Sequence, residues 1–365
     1  MMPNKFITIK SKLASWLIKQ PVSAVGIDIG SSYVKAAEVA FGHGKTELRA
    51  VGLLDLPENI VEEGYITNAP ALTEIIRQLI INSGIASREV VVAVSGRSVF
   101  VREVILPLMK QEELKEAIKW DMEKYVPYEP GSYYYDFAVV GPGNNELEIK
   151  VLLVAALHEL INTLVNVVKQ ADCKPIAIDI EPLAIYRTLR DADNAMIIDI
   201  GTHVSQLMLF QGASPAVSRS IPIGGRSFTE VIMRTLELDY SEAERLKYCQ
   251  TSQLKHPDFE GQLPIVHQQL ALLVDELARE VQRTVEYYQV QNREVVIDRL
   301  YLTGGGAKLA NLPQYIAAKL GGVQVFLHNP LTAVLSSTGL DEHYLQDMAL
   351  QFAMSIGLAI RGCKP

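Results

Sequence analysis

The chain has 365 residues, 48% of them hydrophobic and 21% charged, which is the make-up of a well-buried globular protein of two or more domains and excludes a disordered one. Its net charge of −8 argues against a nucleic-acid binder, which needs a basic stripe. Cys173, Cys249 and Cys363 lack metal-ligand spacing and suit a reducing cytoplasm, and no run reaches the ~18 apolar residues of a membrane span.

The first 21 residues predict a short helix with Phe6, Ile9, Leu13, Trp16 and Leu17 on one face and Lys5, Lys10, Lys12 and Lys19 on its flanks. It has no uninterrupted apolar stretch and no cleavage site, so a signal peptide is rejected. The layout fits a helix lying on anionic lipid, or one docked on its own domain or a partner. Strand–turn–strand patterns follow to about Asp55, with Val25–Gly26–Ile27–Asp28–Ile29–Gly30–Ser31–Ser32 at their head. A helix over Leu72–Ser83 and a β-branched strand at Val90–Val94 come next. The texture then changes to a strand (Val99–Leu106), an amphipathic helix (Gln111–Tyr125), two strands (Tyr133–Val140 and Glu146–Ala156) and a helix (Glu159–Ala171). This β-α-β-β-α block predicts a small domain inserted into the first half.

The second half opens on Ile197–Ile198–Asp199–Ile200–Gly201–Thr202–His203, a near repeat of the first hairpin. A strand ending at Gly224–Gly225 follows, then helices over Ser227–Leu238, Tyr240–Tyr248 and His267–Gln291. Arg299–Thr303 is a strand running into Gly304–Gly305–Gly306 and a helix to Leu320, and Tyr344–Ile360 reads as one final apolar helix. Glycine lets a turn approach a ligand with no Cβ in the way, turn N–H groups hold phosphate, and an aspartate holds the hydration shell of a metal ion. Two such hairpins facing each other would grip a triphosphate. The Gly304–Gly306 turn at a helix start adds a third anion site, although a tight connection is its plain alternative.

The order of the three sites resembles the actin/Hsp70/sugar-kinase ATPase superfamily. The inserted block resembles the 1C domain of FtsA. The phrases Val25–Lys35, Lys119–Pro127, Asp179–Ala184, Ser218–Gly225 and Leu302–Lys308 are closer still to PilM, the FtsA-related, actin-like family of cytoplasmic type IV pilus assembly proteins. The likeness runs from about residue 22 to 362 and implies an α/β, actin-like ATPase fold of two ribonuclease-H-like halves. It divides the chain into an N-terminal basic helix (1–21), subdomain 1A (22–98 and 173–194), inserted 1C (99–172), 2A (195–226 and 296–362) and 2B (227–295).

The resemblance implies ATP with Mg²⁺ between the halves. It assigns Asp28, Gly30, Ser31, Ser32 and Lys35 to one phosphate hairpin and Asp199, Gly201, Thr202, His203 and Ser205 to the other. Asp28 and Asp199 would hold the metal through water. Glu244 and Lys247 would contact ribose and base, or form an exposed helix face; Gly304, Gly305, Gly306 and Lys308 would form the adenosine loop. Where actin has a water-orienting Gln, this chain offers Asp179 and Glu181, so hydrolysis is expected to be slow or absent. The implied partner is the N-terminal cytoplasmic tail of PilN, with the motor ATPases and self-association as further contacts. The implied location is the cytoplasm, peripheral to the inner membrane. Trp120, Tyr125, Tyr128, Tyr133, Tyr134 and Tyr135 would wall a partner groove, with alternate members filling the small domain's core. Readings from other classes are an FtsA-like filament former and a small-molecule kinase.

Overall fold

A computed structural model describes residues 22–94, 99–143, 145–189, 194–212, 214–248, 261–292 and 296–363. The lysine-flanked N-terminal helix and Cys249 lie outside the described residues.

The first lobe begins with an antiparallel meander, β1 (Val22–Ile29), β2 (Tyr33–Gly42) and β3 (Lys45–Asp55). After a small hairpin, β4 (Val61–Glu62) and β5 (Tyr65–Ile66), come α1 (Ala69–Asn82) and β6 (Glu89–Val94). The inserted block is β7 (Val99–Pro107), α2 (Gln111–Tyr125), β8 (Tyr133–Pro142) and β9 (Glu148–Leu157). Helix α3 (His158–Gln170), β10 (Lys174–Ile180) and α4 (Glu181–Tyr186) return the chain to the first lobe.

The second lobe repeats the plan. Its meander is β11 (Ala195–Ile200), β12 (Ser205–Gln211) and β13 (Ser214–Ile221), followed by α5 (Gly225–Leu236), α6 (Tyr240–Lys247) and α7 (Leu263–Gln291). Then come β14 (Arg299–Thr303), α8 (Leu312–Leu320), β15 (Gln324–Leu327), β16 (Leu335–Ser336), α9 (Glu342–Met348) and α10 (Ala353–Cys363). The sheet orders are β10-β6-β1-β2-β3-β16 and β13-β12-β11-β14-β15. In each lobe the first strand of the meander pairs antiparallel on one side and parallel on the other.

The segment expected as a single terminal helix is α9, a 3-10 turn (Ala349–Phe352) and α10. Helices α4 and α10 fill the space between the lobes, where Ala184, Ile185, Met354 and Leu358 pack with Val91 of one sheet and Ile197 and Phe210 of the other. The approach is close: a Cβ on Gly26 would stand 1.9 Å from the Ser355 carbonyl oxygen, and one on Gly357 would stand 1.8 Å from that of Ala184. Neither position has room for any other residue.

The inserted sheet, ordered β7-β9-β8, has its own core, with Leu114, Ile118 and Met122 of α2 against Val104, Val151 and Leu153. Helix α3, expected to belong with it, buries Leu160, Leu164, Val167 and Val168 in the first lobe's core beside Leu72 and Ile76 of α1. Its His158 ring also packs on Tyr134 of β8, so α3 bridges the inserted sheet and the first lobe.

Candidate functional site

The two hairpins make the same turn. Gly30 N–H donates to the Tyr33 carbonyl (3.0 Å) and Gly201 N–H to that of Val204 (3.1 Å). Neither glycine has a left-handed backbone. Space is what constrains them, since a Cβ would come within 3.2 Å of the Tyr33 oxygen and 2.9 Å of the Val204 oxygen.

Register decides which side chains face the cleft. Asp28 lies opposite Lys35 and Asp199 opposite Gln206. Lys35 Nζ sits 2.8 Å from Asp28 Oδ2, with only 17% and 13% of the two side chains exposed. Burial opposes the Lys35 ammonium, but Asp28, Asp199 and Glu181 together outweigh it and its pKa rises. Burial pushes the Asp199 carboxyl up to about 6, with Lys35 pulling it down and Asp28 pushing it further up. Asp28, Lys35, Asp199 and Glu181 are therefore one electrostatic unit, contributed by both lobes and by the first turn of α4.

The remaining hairpin residues divide. Ser31 and His203 are exposed at the turn tips, and Ser32 and Thr202 are half-buried, their carbonyls accepting from Leu56 N–H (2.8 Å) and Arg226 N–H (2.9 Å). Ser205 is fully buried and its hydroxyl donates to the Ile223 carbonyl at 2.6 Å, so the structure does not bring it to the cleft. It takes Val34's place in the repeat, one residue out of phase with the cleft face. Asp179 is also spent elsewhere: it forms an ion pair with Arg187 and accepts from Ile180 N–H. Of the two carboxylates expected near an attacking water, only Glu181 faces Lys35.

Behind the second hairpin three glycine segments interlock. Gly304 has φ +83°, and a Cβ there would stand 2.2 Å from Asp199 Oδ1. A Cβ on Gly306 would stand 2.3 Å from Ile200 Cγ2, whereas one on Gly305 would meet nothing nearer than 3.8 Å. The triplet leads into a 3-10 turn (Gly305–Lys308) and α8 begins only at Leu312, so α8 does not open directly on it. Gly225 N–H donates to the Gly201 carbonyl (2.8 Å) and lies against Gly306. Gly224 and Gly225 thus join the glycine wall as candidate site residues, which the sequence pattern shows only as a strand end. A glycine doublet opening a helix was the signal.

Helix α6 is started by Asp239, whose carboxylate accepts from Glu242 N–H (2.9 Å). Its three-residue spacing places Glu244 and Lys247 on one face. That face is not exposed: Lys247 is 4% exposed, with Nζ 2.6 Å from Glu244 Oε1 and 3.0 Å from Thr229 Oγ1. Burial works against the Glu244 carboxylate, but hydrogen bonds from Lys247, Thr229 and Tyr248 outweigh it and lower its pKa. Lys247 and Lys308 flank the Tyr248 ring at 5.0 and 5.9 Å from its centroid, giving this side of the cleft a cationic, aromatic wall. At the cleft rim Arg226 of α5 meets Glu58 of the first lobe at 3.2 Å.

In the inserted subdomain Tyr133 is buried, Tyr125 and Tyr128 are packed against its core, and Trp120, Tyr134 and Tyr135 are exposed. The aromatic run splits between core and surface as strand alternation requires only in part, because β8 is an edge strand with an open side.

Two pseudo-repeated lobes, hairpin facing hairpin across a cleft backed by glycine turns, define an actin-like protein. The family model described as "Type IV pilus assembly protein PilM" matches residues 26–363, and the chain belongs to that family. It is similar to the solved PilM-PilN type IV pilus biogenesis complex, at 28% identity and TM-score 0.77, covering 94% of this chain and 99% of that one. It is 24% identical over 252 residues to cell division protein FtsA of Bacillus subtilis (strain 168), 61% of this chain and 57% of FtsA, and so spans less than two thirds of that relative. MreB5 of Spiroplasma citri, solved bound to AMPPNP, shares the fold at 13% identity and TM-score 0.50, covering 93% of this chain and 95% of that one. No described helix is long and apolar enough to cross a membrane.

Proposed function

We propose that this member of the PilM family is a nucleotide-dependent scaffold of type IV pilus assembly. It holds ATP with Mg²⁺ between its lobes and takes the cytoplasmic tail of PilN on its inserted subdomain. The observation that carries the nucleotide reading is the convergence of Asp28, Lys35 and Asp199 from two lobes onto one point of the cleft. Two carboxylates around one ammonium fit a phosphate-bound divalent ion held through water, because the ammonium is free to turn to phosphate once the ion neutralises the acids. Among the described residues no cluster of three or more His, Cys, Asp or Glu would ligate a metal directly. Bound Mg²⁺ would neutralise phosphate charge. Lys35 would hold phosphate oxygens, the Gly30 and Gly201 turns would admit the phosphates closely, and Glu244 with the Lys247–Tyr248–Lys308 wall would receive ribose and base.

Hydrolysis is slow on this reading, since Asp179 is tied to Arg187 and Glu181 alone remains to orient water. The PilN tail comes from the likeness to the solved complex, and exposed Trp120, Tyr134 and Tyr135 supply amphipathic contact surface on the inserted subdomain. The lysine-flanked N-terminal segment adds a contact with anionic lipid beside this. The test is equilibrium binding of a labelled N-terminal PilN peptide to the full chain, with and without ATP and Mg²⁺. Tight binding that shifts with nucleotide supports the scaffold as stated. Binding that ignores nucleotide reduces ATP to a structural ligand, and no binding in either condition refutes the partner assignment.

A further inference from the structure

The inserted sheet has two faces, and the one away from α2 touches both lobes. Alternation along the paired strands puts Val99, Val101, Glu103 and Ile105 of β7 on that face with Lys150, Leu152 and Val154 of β9. At one end, Val99, Val101 and Val154 pack on the first lobe's apolar core. At the other end the contacts are polar and belong to the second lobe. Ser214 Oγ donates to Glu103 Oε2 at 2.8 Å, and Lys150 Nζ donates to Gln211 Oε1 at 3.4 Å. Tyr288 of α7, 6% exposed, donates its hydroxyl to the same Gln211 oxygen at 3.1 Å. Lys150 and Glu103 stand 3.6 Å apart and close the network, while Leu152 between them is 3% exposed.

Four strands, β7, β9, β12 and β13, and one helix, α7, thus meet where β12 gives way to β13. That point lies at the far end of β12, the strand that leaves the Gly201 turn, so β12 ties it to the cleft wall. The attachment to the first lobe is apolar and covalently continuous. The attachment to the second is a few directional hydrogen bonds around an ion pair about a quarter exposed, which a small rotation would break. A change in the angle between the lobes must therefore either turn the inserted sheet or detach it from the Gln211–Ser214 turn.

We propose that the cluster Glu103–Lys150–Gln211–Ser214–Tyr288 is the joint through which cleft occupancy sets the position of the inserted subdomain. This rests on the reading that the cleft takes a nucleotide. Coupling through the joint is reciprocal: a partner holding the subdomain in one position changes nucleotide affinity by the same factor as nucleotide changes partner affinity.

The experiment is hydrogen–deuterium exchange of the full chain with and without AMPPNP and Mg²⁺, with calorimetric binding of the same nucleotide run in parallel. The wild type is compared with Gln211→Ala and, as a second variant that removes no packing, Glu103→Gln. In the wild type, nucleotide should change exchange in β7 and β9 by about fivefold or more. In both variants nucleotide should still bind, and that change should vanish. Nucleotide bound with β7 and β9 unchanged in the wild type overturns the joint and leaves the nucleotide reading standing. An undiminished change in both variants also overturns it. No calorimetric binding refutes the nucleotide reading, and the joint with it.

Discussion

The two Asp-Ile-Gly hairpins share a turn and differ in what surrounds it. In the first, Asp28 faces a lysine across the strand pair and two positions earlier Gly26 lies under the backbone of α10. In the second, Asp199 faces a glutamine, its carboxylate presses on Gly304, and the residue corresponding to Gly26 is Ile197, which fills the core between the lobes. A duplicated unit has kept its turn and divided the labour: the first hairpin carries the cation and the contact with α10, the second carries the glycine-backed wall. The strongest way to break this asymmetry is to copy one half onto the other. Gly26→Ile should cost about 5 kcal/mol or more, because its Cβ alone would overlap the Ser355 oxygen, and should leave no folded protein by circular dichroism.

Glu38 of the first lobe and His328 of the second are both buried, and the two are handled oppositely. Glu38 in the first lobe is 3% exposed and accepts from Ser23 Oγ, Ala86 N–H and Ser87 N–H, so its charge is met. His328 in the second is 4% exposed and touches Thr188 Oγ1 at 2.7 Å. That hydroxyl donates to the Ile185 carbonyl, so His328 Nε2 is the donor to Thr188. Burial lowers the His328 pKa to about 4 from the ordinary 6.5. The unfolded chain therefore takes up a proton that the folded one refuses as pH falls below 6.5. Stability present above that pH should be lost progressively, by about 3 kcal/mol at pH 4, and His328→Gln should flatten this part of the pH–stability curve from urea denaturation.

Much of this arrangement was legible in the sequence. Both hairpins, their order relative to Gly304–Gly306 and the inserted block follow from local patterns of glycine and apolar residues, which act over a few positions. What local pattern does not carry is the choice of partner. The repeat itself aligns Ser205 with the core-facing Val34 and not with Lys35, but nothing near Asp179 says that Arg187 will take it. The sheet against which α3 packs is hidden for the same reason, because an apolar stripe records that a helix is buried and not against what.

Removing the cation sharpens the division between the hairpins. Lys35→Ala should weaken ATP binding on the order of 100-fold, by loss of a charge-assisted contact and exposure of two close carboxylates to phosphate. The same truncation at Gln206 should change affinity by less than about threefold. Fluorescent nucleotide titration checks both, and equal effects would contradict the proposed asymmetry.

Asp199 offers a smaller effect of opposite sign. At pH 7 its carboxylate is ionised in the unfolded chain and nearly so in the fold, where burial and Asp28 disfavour the charge. Asp199→Asn should therefore stabilise the nucleotide-free protein by about 2 kcal/mol while weakening nucleotide binding, a site held at the expense of stability.

The glycine wall gives the finest distinction. Gly304→Ala combines a left-handed backbone with a Cβ on the Asp199 carboxylate, and about 3 kcal/mol of stability should be lost. Its neighbour differs. Gly305 has an ordinary backbone and no atom within 3.8 Å of a new Cβ, so Gly305→Ala should shift the denaturation midpoint by no more than about 0.5 kcal/mol in free energy. If nucleotide affinity falls in Gly305→Ala while stability holds, the added methyl meets the ligand, and the glycine triplet is a wall of the nucleotide site as well as a packing device. If neither changes, only Gly304 and Gly306 are needed, and their service is to Asp199 and Ile200.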